Sequence, residues 1–425
     1  MVVGAEGAER RSVADLSERR IPVGIISGFL GAGKTTLIER ILNNPHGRRI
    51  AVVVNDLGEF SGDAGLLKGA NLRHHRNVIE LKNGCICCSL RDELAEHITQ
   101  LAKSDQFDYV LVESTGISEP MPVAAGFFAD DEVGSALEDR VRVDAMITVV
   151  DALNFPLDFE KSDTLRDRRI ALDPADDRSV SDVLAEQVEF ANIIVINKTD
   201  LVDETELRRL EAILHQLNPK AKLVRATHGM VPMELLLDTR AFDFEEASQS
   251  SGWQRALVGK KTPPTAEFDL ASFVYRARRP FHPGRLWDVL QETMPGVLRV
   301  KGFFWLASRH NHAGIWSQAG RAFRDDLAGR WWASLPREEW PDEPVAQEEI
   351  HRLHEEPYGD RRQELVFIGV GMDRTLIEAR LDHCLLDDVE MQLGQLGWES
   401  FADPFSVWWD DDEGEISGNE NFPTA

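Results

Sequence analysis

The first half of the chain contains six short runs of β-branched and other apolar residues, and each closes on, or one residue after, Gly or a polar residue. They are IPVGIISG (21–28), RRIAVVVND (48–56), FDYVLVEST (107–115), VDAMITVVDA (143–152), NIIVINKTD (192–200) and AKLVRAT (221–227). Compact apolar runs of this length predict strands buried on both faces. Stretches with a helical pattern lie between most of them, from Thr35 to about Leu42, at 89–103 and at 203–217. Strands alternating with helices predict an α/β fold, a mostly parallel sheet covered by helices. Ligands of such sheets gather at the carboxyl ends of the strands, where the closing polar residues fall.

The pattern then changes. Residues 158–180 are polar and read as an excursion from the sheet. The stretch 246–265 reads as a linker by composition. Beyond it, FDLASFVYRARRPF, VLRVKGFFWLAS, AGIWSQAGRAF and RRQELVFIGVGM each predict one strand, and PGRLWDVLQETM and RTLIEARLDHCLL predict helices. The expected organisation is a flexible N-terminus (1–20), an α/β domain (21–245), the linker, a smaller α+β domain (266–405) and an acidic tail (406–425).

Composition narrows the function. The 425 residues carry 47 basic and 73 acidic side chains, for a net charge of −26. A field of that sign repels nucleic acid and anionic lipid, so neither is expected as a partner. No apolar run approaches the roughly 18 residues of a membrane span, and the N-terminal stretch has no apolar signal core. A cytoplasmic protein with reduced thiols is expected. Four cysteines are too few for a disulfide framework, and three of them fall in NGCICCSL (83–90).

The chemistry begins with SGFLGAGKTT, between the first strand and the first helix. It fits the phosphate-loop pattern G-x-x-x-x-G-K-[ST] in the context the pattern requires. Amides from Gly28 to Thr36, those of Gly31, Ala32 and Gly33 among them, would close around phosphate oxygens. Lys34 would reach the β/γ oxygens and the Thr35 hydroxyl would ligate Mg²⁺. Glu113, in LVESTG, is placed as a second Mg²⁺ partner, and Gly116 as a close backbone approach to the γ-phosphate. In NKTD, Asp200 can accept both N–H groups on the guanine edge. Asn197 would brace the loop, the Lys198 stem would lie along the base, and Ala226 would supply a backbone N–H. A site built for paired hydrogen bonds rejects the wrong base, so GTP and GDP are the expected nucleotides.

The crowded thiols suit a soft metal such as zinc. Cys85, Cys87 and Cys88 supply three ligands, with Glu59 as a candidate fourth. An open fourth position would let the ion be passed on. The loop lies between the phosphate loop and VESTG, where GTPases carry segments that respond to the γ-phosphate. Asp56 and Glu59 are alternative positioners of the attacking water, and with Lys34 they are the catalytic candidates.

SGFLGAGKTT, ELKNGCICCSLRDEL, VESTGISEP and NKTDL resemble the signature segments of the CobW-like family of P-loop GTPases. RPFHPGRLW, KGFFWLASR and IWSQAG resemble its C-terminal domain, particularly in zinc-responsive bacterial members and in nitrile hydratase activators. The likeness spans roughly residues 20 to 405. It implies a P-loop GTPase domain followed by a smaller α+β domain, and GTP hydrolysis coupled to metal insertion into a client metalloenzyme. It also implies metal binding by Cys85, Cys87 and Cys88, most often of zinc, with cobalt or iron as alternatives. The histidine-rich stretch of many relatives is missing. An activator of nitrile hydratase, a metal sensor without delivery, and a small-molecule kinase with a structural zinc are the rival readings. A homo-oligomer is compatible with the sequence. His74–His75 read as a solvated pair. His310–His312 and His351–His354 rank as secondary metal candidates, and Cys384 as a packed core residue. Trp331–Trp332 and Trp408–Trp409 read as core or interdomain contacts.

Overall fold

A computed structural model describes residues 20–43, 47–56, 78–82, 91–104, 106–128, 140–171, 173, 176–244, 247, 268–410 and 414–416. Its first part is a seven-stranded sheet: β1 (Ile21–Ser27), β2 (Ile50–Asp56), β3 (Val78–Lys82), β4 (Tyr109–Glu113), β5 (Val141–Asp151), β6 (Ile193–Asn197) and β7 (Lys222–Arg225). Every pairing is parallel, in the order β3-β2-β4-β1-β5-β6-β7. The helices are α1 (Lys34–Asn43), α2 (Arg91–Lys103), α3 (Pro120–Ala125), α4 (Asn154–Phe159), α5 (Val180–Glu189) and α6 (Glu204–Leu217).

Side-chain alternation sorts the two faces. Ile26 on β1 and Val195 on β6 pack with Leu37, Ile38 and Ile41 of α1. Val23 and Ile25 face Leu94 and Ile98 of α2, and Ile194 and Ile196 face α5 and α6. Each fully buried side chain of this kind contributes roughly 1.5–3 kcal/mol. Helix α6 starts where Asp203 accepts from the amides of Thr205 and Glu206, both at 2.8 Å, with Glu206 closing the capping box.

The second sheet is antiparallel. It contains β8 (Leu270–Ala277), β9 (Val297–Phe304), β10 (His312–Ala319), β11 (Ala322–Arg330) and β12 (Gln363–Val370), in the order β11-β10-β9-β12-β8. With it go α7 (Pro283–Gln291), α8 (Pro344–Leu353), α9 (Arg374–Cys384), α10 (Asp388–Gln392) and α11 (Gly394–Trp398). Leu286 of α7 and Ile377, Leu381 and Cys384 of α9 close a core with Phe273, Val300 and Phe367. Cys384 is fully buried there, and burial pushes its thiol up to about 12. Leu270 and Ala319 join the α5–α6 cluster of the first domain, so the two sheets share apolar contact. Among the described residues, no helix is long and apolar enough to cross a membrane.

The strand pattern needs three corrections. VIELK forms β3, an edge strand absent from the six expected runs, so VEST ends the fourth strand and NKTD the sixth. AGIWSQAGRAF spans a hairpin rather than one strand: β10 turns at Gly320, with φ +55°, into β11. Trp408 falls within the expected tail yet is 1 % exposed in the second core, as its reading as a core contact expected, and it starts β13 (Trp408–Asp410), which pairs with β14 (Gly414–Ile416). The expected linker lies almost wholly outside the described residues, and the N-terminal segment does so up to residue 19.

The histidine candidates also separate. His310 precedes β10 and packs on the Trp305 and Trp398 rings, each at 5.4 Å. Burial and the nearby Arg361 charge push it down to about 4, so it is neutral at pH 7. It shares no strand face with His312, which opens β10. His351 sits on α8, whereas His354 has left the helix and faces Glu356 at 3.5 Å. Among the described residues, no three His, Cys, Asp or Glu side chains gather as a metal site.

Candidate nucleotide site

The turn from β1 into α1 depends on backbone that only glycine adopts easily. Gly28 has φ +132°, and an added Cβ would sit 2.3 Å from the Val149 carbonyl. Gly33 has φ +104°, and its Cβ would meet the Asn197 amide nitrogen at 2.3 Å. The loop thus runs close against β5 and the end of β6. Lys34 opens α1 with its side chain folded back, donating to the Gly28 carbonyl at 2.7 Å and the Phe29 carbonyl at 3.3 Å. Thr35 and Thr36 follow in the first turn of α1 and are exposed, as is Gly31 in the loop before them, while Ala32 is buried.

Glu113 ends β4 beside this turn, with the Thr35 hydroxyl 3.5 Å from its Oε1. Burial lowers the Lys34 pKa and raises that of Glu113, and their mutual attraction opposes both shifts. A desolvated carboxylate next to a hydroxyl is an oxygen pair that suits a hard cation. Gly116 lies in the turn beyond β4, so close to Leu30 of the phosphate loop that a Cβ would fall 2.6 Å from Leu30 Cδ2.

The NKTD segment is held from both sides. Asn197, 2 % exposed, donates to the Ala32 carbonyl and accepts from the Gly229 amide, each at 3.0 Å. It therefore ties the phosphate loop to the loop after β7. Lys198 takes a left-handed backbone, φ +63°, and its ammonium meets Asp151 at 2.6 Å. Burial alone would raise the Asp151 carboxyl, but Lys198 and the Asn154 donors outweigh it and hold the pKa below its ordinary value. Asp200 is exposed on the 3₁₀ turn Thr199–Leu201. The expectation for Ala226 needs correcting. Its amide donates to the Ile196 carbonyl at 2.8 Å, so β7's ladder engages it and it is not free for a base. A cavity of about 490 Å³ opens beside the phosphate loop, between Leu30 and Ala32 on one side and Asp151, Phe155, Gln187 and Lys198 on the other.

Asp56 ends β2 in register with Lys82 of β3, at the carboxyl edge of the sheet. Its side chain, Glu59, Cys85, Cys87 and Cys88 lie outside the described residues. The sequence reading missed Asp151 and Gln187. Asp151 carried a signal, since it closes a buried run as Glu113 and Asn197 do. Gln187 carried none.

The order along the sheet is that of a P-loop GTPase: phosphate loop after β1, acidic strand end on the neighbouring β4, and N-K-x-D two strands away on the other side. Residues 22–225 match the CobW/HypB/UreG nucleotide-binding domain, and residues 270–385 match the C-terminal domain of the cobalamin synthesis protein CobW. A Dictyostelium discoideum protein, zinc-regulated GTPase metalloprotein activator 1, is 42 % identical over 402 residues, covering 91 % of this chain and 84 % of the relative. The zinc chaperone YjiA of Escherichia coli K12 is 32 % identical over 74 % of this chain and 91 % of its own. The zinc chaperone CobW of a Sinorhizobium species is 31 % identical over 69 % and 83 %. The chain belongs to the CobW/HypB/UreG family of P-loop GTPases, with the CobW C-terminal domain.

Proposed function

We propose that this GTPase is a metallochaperone. It carries zinc on Cys85, Cys87 and Cys88, with Glu59 a candidate fourth ligand when it does not orient the water, and hands it to a client metalloprotein as GTP is hydrolysed. The observation that carries the reading is the 42 % identity, over nine-tenths of the chain, to a protein named a zinc-regulated GTPase metalloprotein activator. The C-x-C-C segment supports it chemically. Cys85 follows Lys82, the last residue of β3, by three positions.

In hydrolysis, a water oxygen bonds to the γ-phosphorus, the bond from phosphorus to the β-bridging oxygen breaks, and GDP and phosphate leave. Lys34 and the amides of the phosphate loop would hold the β and γ oxygens. Asp56 or Glu59 would orient the water, and Asp200 would select guanine while Asn197 keeps its loop in place. Thr35 and Glu113 would hold Mg²⁺, which when bound offsets charge developing on the phosphoryl oxygens. The cysteines lie in the sequence between the phosphate loop and VESTG, the interval where GTPases carry segments that respond to the γ-phosphate, so loss of phosphate would alter the grip on zinc.

The test is a zinc competition titration against a chromogenic chelator, on the metal-free chain with GTP analogue, GDP or no nucleotide. The expected result is a difference of about tenfold or more in zinc affinity between nucleotide states, equivalent to a coupling of about 1.4 kcal/mol. Cys87→Ser should weaken binding in every state. Equal affinity in all three states would overturn delivery and leave a passive metal binder.

A further inference from the structure

We propose that Gln187 is a positioning residue for GTP hydrolysis, and that Arg299 of the second domain fixes the helix that carries it. The inference rests on the GTPase activity and is independent of which metal is carried.

Helix α5 is buried on nearly every side. The side-chain amide of Gln187 donates to the carbonyls of Gly116 at 3.1 Å and Ser118 at 3.3 Å, in the turn that follows Glu113. A planar peptide points its N–H opposite its carbonyl, so clamping the Gly116 carbonyl also orients the Ile117 amide. The main-chain carbonyl of Gln187 accepts from the Thr148 hydroxyl at 2.6 Å. Thr148 has one proton to give, so the 2.9 Å contact with Ser27 is donated by Ser27. Ser27 immediately precedes Gly28. One residue of α5 therefore bonds the turn behind Glu113 and, through Thr148, the start of the phosphate loop.

The opposite side of α5 belongs to the second domain. Asp182 and Glu189 project about 140–160° around the helix from Gln187. The Arg299 fork on β9 grips Glu189 at 2.7 and 3.2 Å, and reaches Asp182 at 3.5 Å and the Ser317 hydroxyl at 3.1 Å. Both side chains of the Arg299–Glu189 pair are almost fully buried, at 1 % and 2 % exposure. Ser181 donates to the Ala319 carbonyl at 2.9 Å. A two-pronged buried pair has no water to replace its bonds, so it sets both the rotation and the axial position of the helix. A shift of β9 or β10 would then be felt at the Gly116–Ser118 turn.

The test uses the full chain, three single variants and one double variant. Gln187→Met keeps the volume and removes the donor. Gln187→Glu keeps the shape and replaces the donor with an acceptor. Arg299→Lys keeps the charge and removes the fork. Each should lower kcat for GTP about tenfold, with KM and GDP affinity within about threefold of the parent. The Gln187→Met/Arg299→Lys double variant should be no slower than Gln187→Met alone, because both act through one helix. Parental kcat in either Gln187 variant, a change in KM without one in kcat, or additive losses in the double variant would each overturn the role. Absence of hydrolysis by the parent chain would instead remove the GTPase reading, and this role with it.

Discussion

Within NKTD, burial separates the two residues expected at the base. Asn197 is 2 % exposed and is engaged at both ends of its amide, by Ala32 and Gly229. Asp200 is exposed and has no partner among the described residues. A free carboxylate at a loop mouth can take the two N–H groups of guanine, whereas Asn at that position pairs better with a xanthine edge, which offers an oxygen where guanine has its amino group. Asp200→Asn is predicted to weaken GTP binding about 100-fold and to favour xanthosine triphosphate. Competition binding with both nucleotides measures this, and an equal loss for both would reject the assignment. Asn197 was legible in the sequence because its motif has a fixed place after a strand. The engagement of Ala226 was not, because whether an amide stays in the ladder depends on where β7 stops pairing with β6.

Helix α5 shows where sequence patterning stops at the scale of elements. The parallel strands were readable because burial on both faces writes them as unbroken apolar runs. Helix α5 has the opposite problem: its Asp and Glu residues look like a solvated face, yet Asp182 and Glu189 are buried against an arginine 110 residues beyond Glu189. Strand β3 was missed because an edge strand of five residues mixing apolar and charged side chains reads as loop. The buried carboxylates also make a pH prediction. Burial first, then the charge of Glu119, pushes Glu186 up to about 7 from an ordinary 4.5, against the pull of Lys301 and Arg299. A carboxyl raised on folding stabilises the fold in its protonated form. That contribution is complete below the unfolded pKa and is lost as pH rises through the folded one. Glu186→Gln keeps the protonated shape at every pH. Its thermal midpoint should therefore match the parent at about pH 4 and exceed it at about pH 8. A difference that does not change with pH would reject the shift.

For the whole molecule, the C-terminal segment matters more than its composition suggested. Arg309 and Asp403 form a bidentate pair at 2.8 and 3.1 Å with side chains 1 % and 0 % exposed, and the Arg309 guanidinium lies 4.2 Å from the centre of the Trp408 ring. Asp403→Ala strands a buried cation and is predicted to cost about 3–5 kcal/mol in urea unfolding. A loss below about 1 kcal/mol would mean that the arginine finds water instead. Leu270 and Ala319 sit in the apolar cluster of α5 and α6, and Arg299 closes over the same helix. That shared seam bears on how relatives can be recombined. A hybrid joining the nucleotide half of one family member to the C-terminal half of another would inherit mismatched sides of one joint. Swaps should therefore succeed only when α5 travels with the β9–β10 hairpin it rests on.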